Sequence, residues 1–329
     1  MNSYKEISYT LDLLIQQIAK VSTLVPQNGL TTGKIGIAIL LYQYGKYRND
    51  LKMTDYADIL IELILQEMKQ GVKRRFDDGL YGIVWGIHYL IKKGFVQADE
   101  DIFDEVDNII FRENNKAYFF NDLGAEAEKA LYIWNRFISV TSSTKSKWEQ
   151  HIENCVNQFH KILILKYITY ILPVFSCRTL IRFFHICQTF WKYDMFRQEI
   201  GVLYEELPEI VRISFKEEKS ISEKYILATL INEIPTLEGC VSTVDLPQSM
   251  TLVDANNFYL TQWILDKKIS IPKTVDKTIL SIIKNHRRIS GLINQLNSDN
   301  AALGNDAGGL AWVIMQWCIN KDNMLTSSD

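Results

Sequence analysis

The segment Gly33-Lys-Ile-Gly36-Ile returns as Gly79-Leu-Tyr-Gly82-Ile and again, near the end of the chain, as Asp306-Ala-Gly-Gly309-Leu. A fainter copy reads Gly124-Ala-Glu-Ala127, with alanine in place of the second glycine. Each copy opens an apolar helical stretch. A glycine inside a helix costs about 1 kcal/mol relative to alanine, so its recurrence at helix starts needs a geometric reason. Glycine there lets a neighbouring backbone approach closely, or lets the preceding loop take positive φ. Two clear copies and one partial copy, separated by amphipathic helices, predict a ring of hairpins whose inner helices begin alike.

The rest of the chain reads as helix. Leu11, Leu14, Ile15 and Ile18 follow the spacing of one buried stripe, as do Leu60, Leu63, Ile64 and Met68. Thr54 reads as the N-cap of that second helix and Gly71 as its stop. Ile83, Ile87, Leu90 and Ile91 form a stripe ended by Gly94; Ile102, Val106, Ile109 and Ile110 form the next. Trp148, Ile152, Cys155, Val156 and Phe159 continue the pattern. Ser220-Ile-Ser-Glu223 reads as a capping box, and Pro272 suits the first turn of a helix through Ile279, Ile282 and Ile283. Asn28-Gly29 is a hairpin signal between two helical patterns, so it reads as a helix–helix turn. No run alternates like a strand. No Ser/Pro/Gly-rich linker divides the chain, which predicts one all-α domain over residues 1–329.

Composition narrows the function classes. Lys and Arg total 36 against 39 Asp and Glu, a net charge of -3, so the basic excess of a nucleic-acid binder is absent. The five cysteines, an odd number with no CxxC pair, read as reduced thiols of a cytoplasmic protein. The opening Met1-Asn-Ser-Tyr-Lys-Glu does not read as a signal peptide. The most apolar region, Ile162–Trp191, is interrupted by Lys166, Arg178, Arg182 and Pro173, and reads as a core helix pair rather than a membrane span.

The stretches GLTTGKIGIAILLYQY (29–44) and FDDGLYGIVWGIHYLIKKGF (76–95) resemble the repeat motifs of lanthionine synthetase C-like proteins, and the resemblance returns around residues 303–317. It implies an α/α toroid, a double-layer helical barrel with the Gly-motif loops at one end of a central cavity. In catalytic members of that family a zinc ion, held by two Cys and one His, activates a peptide thiol that closes a thioether ring on a dehydroamino acid. The zinc motifs are missing here: no Cys-His pair occurs in the chain. The nearest approach is His185-Ile-Cys187 with Cys177 upstream, and residues two apart on a helix face different ways. Cys240, in a Gly-Cys loop, has no histidine near it in sequence. The expectation is a divergent, zinc-free member of a peptide-modification system, without a cofactor.

Four residues are candidates for the cavity. Asp78 ends an acidic pair at the mouth of the second repeat helix; Asp306 stands where the other copies have glycine. Both also read as favourable charge at a helix N-terminus. Trp85 and His88, one turn apart, are placed to stack on a ligand or to pack in the core, and Trp312 holds the position of Trp85 in register. Lys73-Arg74-Arg75 reads as a solvated turn or as a dock for an acidic leader peptide. Neither a phosphate-binding GxxxxGK[ST] nor GxSxG occurs. The expected partners are a peptide substrate or precursor and a modification enzyme, with neither nucleic acid nor membrane. Three alternatives stay open: a thioether-forming cyclase with unrecognised zinc ligands, a carbohydrate-active enzyme using a carboxylate pair, and a non-catalytic interaction scaffold.

Overall fold

A computed structural model describes residues 2–68, 73–98, 100–112, 122–140, 144–169, 173–241, 244, 250–266, 273–304 and 306–326. The chain is all-α: the described residues hold fifteen α-helices and no strand. Its contacts cluster into two compact units, residues 1–90 with 245–329 and residues 91–244.

The first unit contains α1 (Asn2–Val21), α2 (Lys34–Arg48), α3 (Leu51–Glu67), α4 (Leu80–Lys92, as far as Leu90), α12 (Leu252–Ile264), α13 (Lys273–Lys284), α14 (His286–Asn294) and α15 (Asp306–Thr326). The stripe of α1 is buried at Leu11, Leu14, Ile15 and Ile18, and α1 packs on α15. Helix α15 packs also on α12 and α2. Helices α2 and α15 are buried nearly all round: Ile35 to Tyr42 and Ala307 to Met315 are inaccessible almost without a break. An inner helix with neighbours on every side should look like this, and an outer amphipathic one should not.

The α2–α3 corner turns differently from the sequence reading. Asn49 closes α2 in the left-handed region (φ 54°), and the Asp50 N–H bonds the Gly45 carbonyl at 2.8 Å. The Asp50 carboxylate then caps α3 by accepting from Lys52 N at 3.1 Å. Thr54 is therefore not the cap. It lies within the first turn, against Gly45. The physical reason is the tightness of the corner: Asn tolerates the left-handed turn and Asp next to it is already in capping position. Gly71 and Pro272 lie outside the described residues.

The second unit contains α5 (Asp104–Arg112), α6 (Leu123–Ser139), α7 (Lys145–Thr169), α8 (Cys177–Lys192), α9 (Arg197–Glu205), α10 (Pro208–Glu217) and α11 (Ile221–Ile231). Helix α6 packs on α7 and α8, and α8 on α11. The described part of 162–191 is a helix pair, the end of α7 and α8 as far as Trp191, and no helix among the described residues is long and apolar enough to cross a membrane. Ser220 caps α11 by accepting from Glu223 N at 3.3 Å, but the Glu223 carboxylate pairs with Arg178 at 2.8 Å.

Two charge pairs sit inside this unit. Arg182 of α8 donates to Glu128 of α6, both buried. Arg136 grips Asp107 through two nitrogens, at 3.1 and 2.7 Å from Oδ2, while Tyr132 also donates to that carboxylate. Close by, the His151 ring stacks on Phe111, centroids 3.8 Å apart, with Trp148 edge-on and Nε2 buried without a hydrogen-bond partner. Burial pushes the His151 imidazolium to lower pH than usual, Lys147 and Lys129 add to this, and Asp107 opposes it. The unfolded chain therefore takes up this proton more readily than the folded one. Stability should be intact above the ordinary histidine value near 6.5 and fall as the pH drops through and below it. Urea midpoints measured between pH 7.5 and 5 should fall less steeply in His151→Phe than in the wild type; parallel curves would contradict this assignment.

Candidate functional site

The three glycine motifs are one local structure used three times. In α2, a Cβ on Gly36 would overlap the carbonyl oxygen of Leu30; in α4, one on Gly82 would overlap the carbonyl oxygen of Phe76. In α15, one on Gly309 would press on the Leu303 carbonyl oxygen, at 3.1 Å. Each glycine thus meets the carbonyl six residues before it, and that residue is a fully buried Leu or Phe in all three copies. The loop folds back over the first turn of its own helix, and only a missing side chain leaves room. In the third copy Asn256 of α12 holds the loop by donating Nδ2 to the Leu303 carbonyl at 2.8 Å. The faint fourth copy is different. Gly124 faces the side chains of Asp122 and Thr179, and no backbone among the described residues crowds it.

The copies are also joined alike. Thr31, Asp77 and Gly304 are equivalent, each following the buried Leu or Phe. Gly304 N donates to the Thr31 carbonyl at 2.6 Å, and Thr31 N donates to the Asp77 carbonyl at 3.0 Å. The same bond, between equivalent atoms, links the third copy to the first and the first to the second. Thr31 Oγ1 adds a bond to the Asp77 carboxylate at 3.2 Å.

A second tier lies seven residues after the second glycine, about 10 Å further along each helix. The equivalent residues there are Gln316, Gln43 and Tyr89. Gln316 Nε2 donates to Gln43 Oε1 at 2.9 Å, and Gln43 Nε2 donates to the Tyr89 hydroxyl at 2.8 Å. The order of helices is the same as in the loops. Tyr89 stacks on Trp85 (5.6 Å, interplanar angle 10°), and Trp263 of α12 stands edge-on to both, at 4.9 Å from Trp85 and 5.1 Å from Tyr89. Trp312 backs Trp263 at 4.7 Å. Gln43, Tyr89, Trp263 and Gln316 are each half-buried. Burial raises the Tyr89 hydroxyl above its ordinary value, so it stays protonated across the physiological range.

The sequence candidates fall unevenly on this site. Trp85 is central to the aromatic cluster and 8% exposed. Trp312 shares its register but is fully buried. His88 is half-exposed on α4. Asp78 is at the loop end of the same helix, paired with Lys73 at 3.2 Å, so the basic trio and the acidic pair engage each other. Asp306 opens α15, and its side chain lies outside the described residues. Gln43, Tyr89, Gln316 and Trp263 were not singled out from sequence. The first three were within reach of it, because carrying the glycine register two turns further brings them into line.

Cys177 and Cys187 are not placed to share a zinc ion. Cys177 and Cys187 sit ten residues apart on α8, about 15 Å of helix rise, whereas zinc draws thiolates to about 2.3 Å. Cys155, Cys177 and Cys187 are buried, and burial pushes the Cys155 and Cys177 thiols up to about 12 and the Cys187 thiol up as well. Such thiols stay protonated in the metal-free protein, the wrong state for a nucleophile. Among the described residues no three His, Cys, Asp or Glu side chains are placed to hold a metal. Comparison with protein-family models, with curated proteins and with solved structures finds no match to this chain.

Proposed function

We propose that the chain is a divergent lanthionine synthetase C-like protein with an α/α toroid arrangement, and that it binds a peptide on the half-exposed face of its repeat helices. One observation carries the reading: equivalent residues of successive copies make the same bond at two levels, Gly304 to Thr31 to Asp77 in the loops and Gln316 to Gln43 to Tyr89 two turns below. Copies joined by one repeated contact step round in one direction, as head-to-tail units of a ring do. A toroid would bring the inner faces of these helices together, and aromatic rings lie beside uncharged donors and acceptors on them. This is the composition of a recognition site rather than of a sealed core.

The role fits a peptide-modification system working without zinc, in the cytoplasm, beside an enzyme that modifies the same peptide. Trp85 and Trp263 supply the apolar wall; Asp78 and Asp306 stand at the loop ends of α4 and α15, and His88 lies further along α4. A random-peptide display selection tests the function. Peptides should be enriched that bind the wild type and bind Trp263→Ala at least tenfold more weakly. A selection that enriches nothing, or peptides that bind Trp263→Ala equally well, would sink the reading.

A further inference from the structure

The tier formed by Gln316, Gln43 and Tyr89 carries a more specific consequence, which rests on the peptide reading. Three features define it. First, none of the three side chains carries an ionised group, because the Tyr89 hydroxyl is protonated and the other two are amides. Second, the bonds that join them leave capacity unused. An amide has two N–H donors and an oxygen with two lone pairs. Gln316 spends one N–H on Gln43, and Gln43 spends one N–H on Tyr89 and one lone pair on Gln316. Both amides are half-exposed, so a donor and an acceptor remain side by side at each. Third, the tier repeats from helix to helix with the bond direction unchanged, and Trp263 borders it with a half-exposed ring.

We infer that this tier is a subsite for an uncharged stretch of peptide backbone, read by Gln43 and Gln316 and covered on one side by Trp263. A peptide backbone offers an N–H and a C=O at every residue, and a repeated donor–acceptor pair matches that repeat. An ionic segment would have to give up its hydration here, where the charge felt by the tier's hydroxyl is that of the exposed Asp266. Selectivity against charge is therefore built into the strip: the loss comes from the wrong ligand's desolvation rather than from repulsion.

The test uses the full chain and defined probes. Acetylated, amidated octapeptides of Gly, Ser, Thr, Pro and Trp are titrated calorimetrically, beside versions carrying two Lys or two Asp and beside cellohexaose. The uncharged peptides should bind at least tenfold more tightly than either charged set. The double variant Gln43→Leu with Gln316→Leu should lose at least tenfold for the uncharged peptides. Tyr89→Phe, which keeps the ring and removes only the hydroxyl, should weaken binding in the same direction and serves if the double variant does not fold. Uncharged peptides that bind wild type and variants alike would overturn the subsite and leave the peptide reading standing. Tighter binding of a charged set would overturn the subsite as well. Failure of every peptide on the wild type, with or without binding of cellohexaose, would overturn the peptide reading itself.

Discussion

Gly82→Ala should cost the protein about 3 kcal/mol of stability, the upper end of what overpacking usually does. The same change at Gly291 should instead add about 0.5–1 kcal/mol. Both glycines lie in helices of the first unit, so helix propensity favours alanine at both. The difference is space. A Cβ at Gly82 would overlap the Phe76 carbonyl oxygen and lie 3.0 Å from the Leu30 Cβ, whereas one at Gly291 meets nothing within 4 Å. The Phe76 carbonyl has little freedom to move, because the next residue, Asp77, receives Thr31 and Thr32 from the neighbouring copy at 3.0 and 3.3 Å. Gly36→Ala should behave like Gly82→Ala. Gly309→Ala should destabilise as well, because its Cβ would press on the buried Asn256 nitrogen at 2.7 Å, which holds the Leu303 carbonyl, and displacing that amide breaks the bond. Urea unfolding of the four variants checks the set, and a stabilising Gly82→Ala would contradict the shared loop geometry.

Glu128→Ala should destabilise by about 3–5 kcal/mol, because it takes the Glu128 carboxylate away from a buried, charged Arg182 guanidinium. The pair itself contributes far less than this loss suggests. Replacing both residues, Glu128→Leu with Arg182→Met, should be neutral or stabilising, since neither charge then has to leave water. The two results together separate a stranded charge from a stabilising ion pair. A double variant as damaged as the single one would mean that the pair also holds α6 against α8 in a way apolar packing does not replace.

These buried charges also mark the limit of what the sequence discloses. Glu128 and Arg182 lie 54 residues apart, and nothing local shows that they meet inside. Charged residues on amphipathic helices are solvated far more often than buried. The glycine register is the opposite case. Gly33, Gly79 and Asp306 stand at one register of three loops with one geometry, because a residue forbidden a side chain leaves a mark that composition cannot hide. The fourth copy misled for the same reason turned round: Gly124 meets two side chains, which yield, and so it reports no shared loop. Caps were half legible. Ser220 caps α11 as its sequence implies, while Glu223 goes to Arg178, a partner 45 residues away. The amide tier lay in the sequence at a fixed offset, but glutamine is too common a residue to stand out without its partners.

The most direct test of a peptide site on the repeat helices is a crosslinking map. A photoreactive p-benzoylphenylalanine is placed at 88, at 263 or, as the control, at 9, where Tyr9 is 63% exposed on α1. Each form is irradiated with a display-selected peptide. The proposal predicts crosslinks from positions 88 and 263 and none from position 9. Crosslinking from position 9 alone, or equally from all three, would contradict a peptide site on the repeat helices.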